Sequence, residues 1–361
     1  MTPTSMGVSC LCGTIAQRVS PRRTDSKVTE ISITHSDTDR RATEHIGADG
    51  YTRCFCRMCG CHIFRRKAVG EQTEWEAATG VLIDSTRDNA EHDARFTVHT
   101  SVSDTKDGGI SVWLPQIDGH TLDAARNPDF SVELQESSSL LPLTSPLVPA
   151  DSLPASCACG AVSFHITRPD ERSYLPHSGF SDLLYPACKH SEHIIKSPDS
   201  VKWWIRADGT KYLAGTCACR PCHLASGFEI QTWAFVPREN IFLHTPGPDE
   251  RRAVLPLDFA ALPPGVLRTY ESSPGVLREF CGGCGATVFW HDIWRPDVID
   301  VSVGLLRAPE GARADTWLDW WTGRCSFEEE ASRGRTGEPA RMARRLIDGL
   351  ERGLGSQAQS S

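Results

Sequence analysis

The sequence predicts a mainly β protein built of two related halves, each stapled by cysteine-bound metal. Three observations carry that prediction. Short apolar runs alternate with polar residues between Gly-, Pro- and Asp-rich turns, which is the period of half-buried strands. Cysteines recur as CxC or CxxC pairs followed by glycine, at Cys10 and Cys12, Cys56 and Cys59, Cys157 and Cys159, and Cys281 and Cys284. The flanks of two of these pairs match: Phe55-Cys56-x-x-Cys59-Gly60-x-x-Ile63-Phe64 against Phe280-Cys281-x-x-Cys284-Gly285-x-x-Val288-Phe289.

The chain has 361 residues, enough for two domains with cores of their own. A formal net charge of −8 argues against a nucleic-acid or anionic-membrane partner, since both need basic patches. No apolar run reaches transmembrane length. The opening residues have neither a basic stretch nor an apolar core, so no signal peptide is expected. A cytosolic or nuclear location follows. There the fifteen cysteines stay reduced, which favours thiolate–metal bonds over disulfides.

Residues 8–136 form the first domain. A strand is expected after Gly13, weak signal over 21–50, and β-structure over 74–136, where turns such as Asp107-Gly108-Gly109 separate apolar runs. Cys54 and Cys61 are expected to flank the first site without binding metal. Gly80-Val81-Leu82 follows the first CxxC much as Gly304-Leu305-Leu306 follows the second. Residues 137–154, rich in Ser, Pro and Leu, read as a semi-extended linker.

Residues 155–332 form the second domain. Cys188, His190 and His193 have a metal-ligand spacing but no nearby fourth partner, and read as a surface loop. Trp203–Ile205 and Thr232–Val236 read as core strands. Arg268–Phe280 reads as a hairpin turned at Pro274-Gly275. Trp317, Trp320 and Trp321 fall at helical spacing and are expected to pack in the core. In residues 333–361, Met342, Leu346, Ile347, Leu350 and Leu354 predict an amphipathic helix, followed by a disordered end.

Between the second CxC and the second CxxC stands Cys217-Ala218-Cys219-Arg220-Pro221-Cys222. Side chains two apart on a strand share a face, so each CxC presents two thiolates together. Zinc takes four thiolate or imidazole ligands in a tetrahedron. The seven cysteines of these three clusters therefore divide into one closed four-ligand site and a remainder of three. Three protein ligands leave a position for water or substrate. The first half keeps four ligands and lacks the central cluster. Cys12 and Cys56 are only 44 positions apart, whereas Cys159 and Cys281 are 122 apart.

These motifs resemble the glutathione-dependent formaldehyde-activating enzyme family, which includes centromere protein V. The resemblance rests on Cys157-x-Cys159-Gly160, Cys217-x-Cys219-x-x-Cys222, Ser226-Gly227, Tyr270-x-Ser272-Ser273 and Arg278-x-Phe280-Cys281-x-x-Cys284-Gly285. It covers residues 155–332 well and 8–135 in part. It implies twisted, zinc-stapled β-sheet domains in tandem, the first truncated by a deletion or a faulty gene model. It also implies a structural zinc on Cys157, Cys159, Cys281 and Cys284, and a catalytic-type zinc on Cys217, Cys219 and Cys222. The implied activity is that of a carbon–sulfur lyase on a thiol–aldehyde adduct such as S-hydroxymethylglutathione.

The family often has Arg where this chain has His223. That imidazole can hydrogen-bond substrate, tune the site, become a fourth ligand, or merely pack beside it. His223 and Tyr270 are the candidates for handling the hydroxyl proton. Two rival expectations stand beside the lyase: a non-catalytic zinc module for scaffolding or partner binding, and a thiol or zinc buffer.

Overall fold

The computed structural model describes residues 5–24, 27–33, 41–86, 95–124, 149–189, 196–246 and 252–358. The architecture is mainly β, in several largely antiparallel sheets. Eight strands open the first half: β1 Met6–Ser9, β2 Ala16–Thr24, β3 Lys27–Ile33, β4 Ala42–Ile46, β5 Thr52–Cys56, β6 His62–Val69, β7 Gln72–Ala77 and β8 Leu82–Ser85. They make two four-stranded sheets, ordered β3-β2-β1-β8 and β4-β5-β6-β7. The strand expected after Gly13 is β2, and the weak signal over 21–50 hid its end together with β3 and β4.

Residues 95–124 depart from the expected β-structure. They hold only the two-residue strands β9 Val98–His99, β10 Gln116–Ile117, β11 His120–Thr121 and β12 Asp123–Ala124, among 3-10 turns. Gly108 and Gly109 both take positive φ, and Asp107 Oδ1 accepts from Gly109 N at 2.8 Å. That turn chemistry curls Gly109–Trp113 into a 3-10 helix instead of a strand. Its apolar residues then pack on the C-terminal helix.

The second half begins with β13 Ser152–Ser156 and β14 Ser163–Thr167, so β13 starts inside the expected linker. Most of that linker lies outside the described residues, as do His190 and His193. There follow β15 Ile205–Arg206, β16 Lys211–Cys217, helix α1 Arg220–Ser226, β17 Gln231–Pro237, β18 Ile241–Pro246 and β19 Arg252–Pro256. Next come β20 Arg268–Ser273, β21 Val276–Phe280, β22 Thr287–Asp292, β23 Val298–Ser302 and β24 Leu318–Trp320, and then helix α2 Gly337–Ala358. One sheet runs β13-β14-β18-β19, and a larger one runs β15-β16-β17-β23-β22-β21-β20 with β24 parallel on β16.

The tryptophan cluster is thus a short strand, not a helix. Leu318–Trp320 pairs with Tyr212–Ala214, the Arg168 guanidinium lies 3.7 Å from the Trp317 ring centre, and the Trp320 and Trp113 rings meet at a tilt with centres 4.8 Å apart. Helix α2 buries Met342, Leu346, Ile347, Leu350 and Leu354 as the spacing predicts, and runs to Ala358 where a disordered end was expected. Among the described residues no helix is long and apolar enough to cross a membrane.

Equivalent backbone bonds recur in the two halves. Cys10 N donates to Ile15 O at 3.0 Å, and Cys157 N to Val162 O at 3.0 Å. Gly60 N donates to Cys56 O at 2.9 Å, and Gly285 N to Cys281 O at 2.8 Å. Val8 pairs with Leu82 as Ala155 pairs with Leu306.

Strands β14 and β18 press two buried histidines together. His165 Nδ1 lies 2.7 Å from His244 Nε2, and His244 Nδ1 lies 3.0 Å from Ser163 Oγ. Burial holds His165 down at about 4. A folded value below the unfolded one means that acid favours the unfolded chain. Stability is then intact above the unfolded value and declines as pH falls from about 6.5 towards 4, by up to roughly 3 kcal/mol from this group. Thermal melts across that window should show the decline in wild type and a shallower one in His165→Gln; equal slopes would remove His165 as the cause.

Candidate metal centres

Each half brings one CxC and one CxxC together between two sheets. Cys10, Cys12, Cys56 and Cys59 form one cluster, and Cys157, Cys159, Cys281 and Cys284 form another, with ligand atoms within 4.8 Å of one another. The sulfurs of Cys10 and Cys12 are 3.4 Å apart, those of Cys12 and Cys56 3.6 Å. In the second cluster Cys157 lies 3.5 Å from Cys159 and 3.6 Å from Cys281. A disulfide needs about 2.05 Å. A tetrahedron of sulfurs about 2.3 Å from a central zinc has edges of roughly 3.8 Å. The clusters fit a metal, and no disulfide joins cysteines among the described residues. Ile15 N and Val162 N point at the Cys10 and Cys157 sulfurs, at 3.4 and 3.3 Å, as donors to thiolates. Cys54 and Cys61 are buried outside the set: Cys54 Sγ points at Glu44 Oε1 and Cys61 Sγ at His62 O.

Cys217, Cys219 and Cys222 form the third cluster, all buried. Strand β16 ends at Cys217. Cys219 is the N-cap of α1, Pro221 favours the first turn, and that turn carries Cys222 back to within 3.7 Å of Cys217. The cluster lies in the wall of a cavity of about 990 Å³, shared with Trp233, Phe235, Trp290, Ser272 and Asp300. No fourth histidine, cysteine or carboxylate ligand joins it among the described residues.

Arg278 is the group that the motif reading left without a role. It projects from β21, is buried, and places Nη1 and Nη2 each 3.7 Å from Cys222 Sγ; its Nε has no partner. Three thiolates around a dication would sum to −1, a charge that this guanidinium is placed to offset. The signal was present: Arg278 stands two residues before Phe280 in one strand, an odd place for a cation. Asp300 lies in the same cavity, paired with Arg295, and burial pushes its carboxyl up to about 6.

His223 and Tyr270 do not face this cavity. The residue after Cys222 on a helix lies about 100° further round. His223 Nδ1 therefore reaches Gly80 O of the first half, at 2.6 Å. Burial, and next to it the Arg335 charge, hold His223 down at about 3, so it is neutral. Tyr270 packs against the first half's cysteine cluster. A register shift between Glu271 and Ser273 separates it from Ser272 and Ser273, which do line the cavity. Of the surface-loop trio only Cys188 is described, and it is exposed.

No protein-family model matches the chain, and no curated protein matches it. The family likeness therefore rests on the cysteine motifs and their flanks.

Proposed function

We propose that the chain is a tandem of zinc-stapled β domains of the formaldehyde-activating type, and that its second half is a carbon–sulfur lyase for a thiol–aldehyde adduct such as S-hydroxymethylglutathione. The observation that supports this is the contrast between two four-cysteine clusters and a three-cysteine cluster opening on a cavity of about 990 Å³. Closed sites hold folds, whereas three-ligand sites leave a coordination position for chemistry. The cavity is also at the upper end of small-molecule sites, roomy enough for a tripeptide thiol.

Bound on Cys217, Cys219 and Cys222, zinc supplies Lewis acidity and keeps a substrate sulfur as its thiolate. The chain's own residues do the rest. Arg278 offsets the thiolate charge beside Cys222. Trp233 and Trp290 wall the cavity and exclude water. With His223 and Tyr270 directed elsewhere, Asp300 takes the proton of the adduct hydroxyl, and the Ser272 and Ser273 hydroxyls orient it. The work belongs to a reducing, cytosolic or nuclear setting in which the cysteines stay reduced.

A non-catalytic zinc module is the second reading, favoured by the absence of His223 and Tyr270 from the cavity. Cobalt-loaded full-length protein separates the two. Native mass spectrometry should count three metals per chain, and titration with glutathione should change the thiolate–cobalt absorption of one of them. A spectrum indifferent to thiol would mark the third site as closed and leave the module reading in place.

A further inference from the structure

The two halves meet through contacts that repeat about a pseudo-twofold. A Cβ on Gly60 would lie 2.6 Å from Phe280 Cγ, and one on the equivalent Gly285 would lie 2.5 Å from Phe55 Cγ. Tyr270, opposite Arg278 in its hairpin, packs by the first half's cysteine cluster. His45, opposite Arg53 in the matching hairpin, lies within electrostatic reach of Cys157 in the second.

One pair of positions breaks this symmetry. Gly80 and Gly304 occupy matching 3-10 turns, Thr79–Val81 and Val303–Leu305. The Gly80 peptide clamps the end of α1 from both sides: its N–H donates to Gly227 O at 3.0 Å, and its carbonyl lies 2.6 Å from His223 Nδ1, which also lies 2.8 Å from Arg335 Nη2. The same carbonyl accepts from Arg335 Nη2 at 2.8 Å, and Arg335 is ion-paired with buried Glu229 at 2.7 Å. A Cβ on Gly80 would lie 2.6 Å from the Gly227 backbone. A Cβ on Gly304 would meet nothing within 4 Å. The helix that Gly304 would touch by symmetry belongs to the central cluster that the first half lacks.

We infer that the first half acts as a positioning partner of the second half's three-cysteine site: the Gly80 peptide, itself held by Arg335 of the C-terminal segment, fixes α1 so that Cys219 and Cys222 converge on Cys217. Helix α1 is only seven residues long, and its N-cap side chain accepts no hydrogen bond. A helix so short does not hold its own shape in water. It carries two of the three ligands at one end and is clamped by the first half at the other. Loss of the clamp therefore frees the ligands without touching them. The inference rests on the cluster holding a metal, whatever chemistry follows there.

The test uses three full-length variants, Gly80→Ala, Arg335→Gln and Gly304→Ala, loaded with cobalt and titrated with a competing chelator. Near-ultraviolet circular dichroism reports folding. In Gly80→Ala and Arg335→Gln the third metal should bind roughly 10- to 100-fold more weakly, the usual cost of losing an outer support of a metal site. The two four-cysteine metals should be held as in wild type, and Gly304→Ala should match wild type throughout. Unchanged third-site affinity in the first two variants would overturn the inference. So would parallel loss of all three metals, or an equal effect of Gly304→Ala. Arg335→Gln adds no atoms at the interface and decides the matter if Gly80→Ala does not fold. Wild-type protein that binds only two metals would instead overturn the metal reading of the third cluster itself.

Discussion

Cys281→Ser is expected to leave the second half unable to fold at physiological temperature, and to drop the metal count from three to at most two. Cys281 sits at the centre of its cluster, 3.6 Å from the Cys157 sulfur and 3.5 Å from that of Cys159, which come from a different sheet. The cluster is thus the bolt between β13-β14-β18-β19 and the larger sheet. Structural zinc in small sites contributes about 10–16 kcal/mol of apparent binding free energy, which is folding free energy where no site exists in the unfolded chain. Whole domains are stable by only about 5–15 kcal/mol, so losing the metal term is comparable with the whole margin. The damage should also spread. Phe280, next in the chain, rests on Gly60 of the first half, so the interface between halves loosens with the knuckle. Circular dichroism melts and metal analysis read the outcome. A normal melt with the metal count reduced by one would show that the cluster does not hold the fold.

The cysteine clusters were legible because their chemistry is local. A CxC on a strand and a CxxCG turn each dictate their own geometry, and Gly60 and Gly285 both carry the positive φ that such a turn needs. The matching flanks were legible for the same reason, since Gly60 N to Cys56 O and Gly285 N to Cys281 O close the same turn. What the sequence hid was long-range. His223 is next to Cys222, but its partner Gly80 is 143 positions away, and nothing at 223 says which side of the helix another half will cover. Tyr270 was misplaced because a single shift of register in its hairpin separates it from Ser272 and Ser273. Trp317, Trp320 and Trp321 satisfy helical spacing, yet three residues are too few to decide between a helix and the edge of a sheet. Arg278 was quoted as part of a motif without a role, because its role depends on Cys222 lying beside β21 in space.

Cys219→Ser should separate the third metal from the fold. Cys219 is the N-cap of α1, with extended backbone at φ −61° and ψ 148° and no hydrogen bond from its side chain to the helix. Serine is among the best N-cap residues and would cap the helix at least as well. The two four-cysteine clusters are untouched, so melting should fall only modestly. The metal cannot be kept so easily. Two thiolates and a hydroxyl replace three thiolates, and zinc prefers the softer ligand set. Arg278, set beside Cys222 to offset the charge of a loaded site, then faces two cysteines that are free to protonate. Under the lyase reading, adduct formation from glutathione and labelled formaldehyde, followed by NMR at matched zinc, should fall to the uncatalysed rate. Under the module reading wild type shows no such rate, and the variant differs from it only in metal content. Wild-type exchange that survives intact in Cys219→Ser would place the chemistry away from this cluster. Loss of all three metals together would mean that the cluster is structural, and that its open cavity serves some purpose other than catalysis.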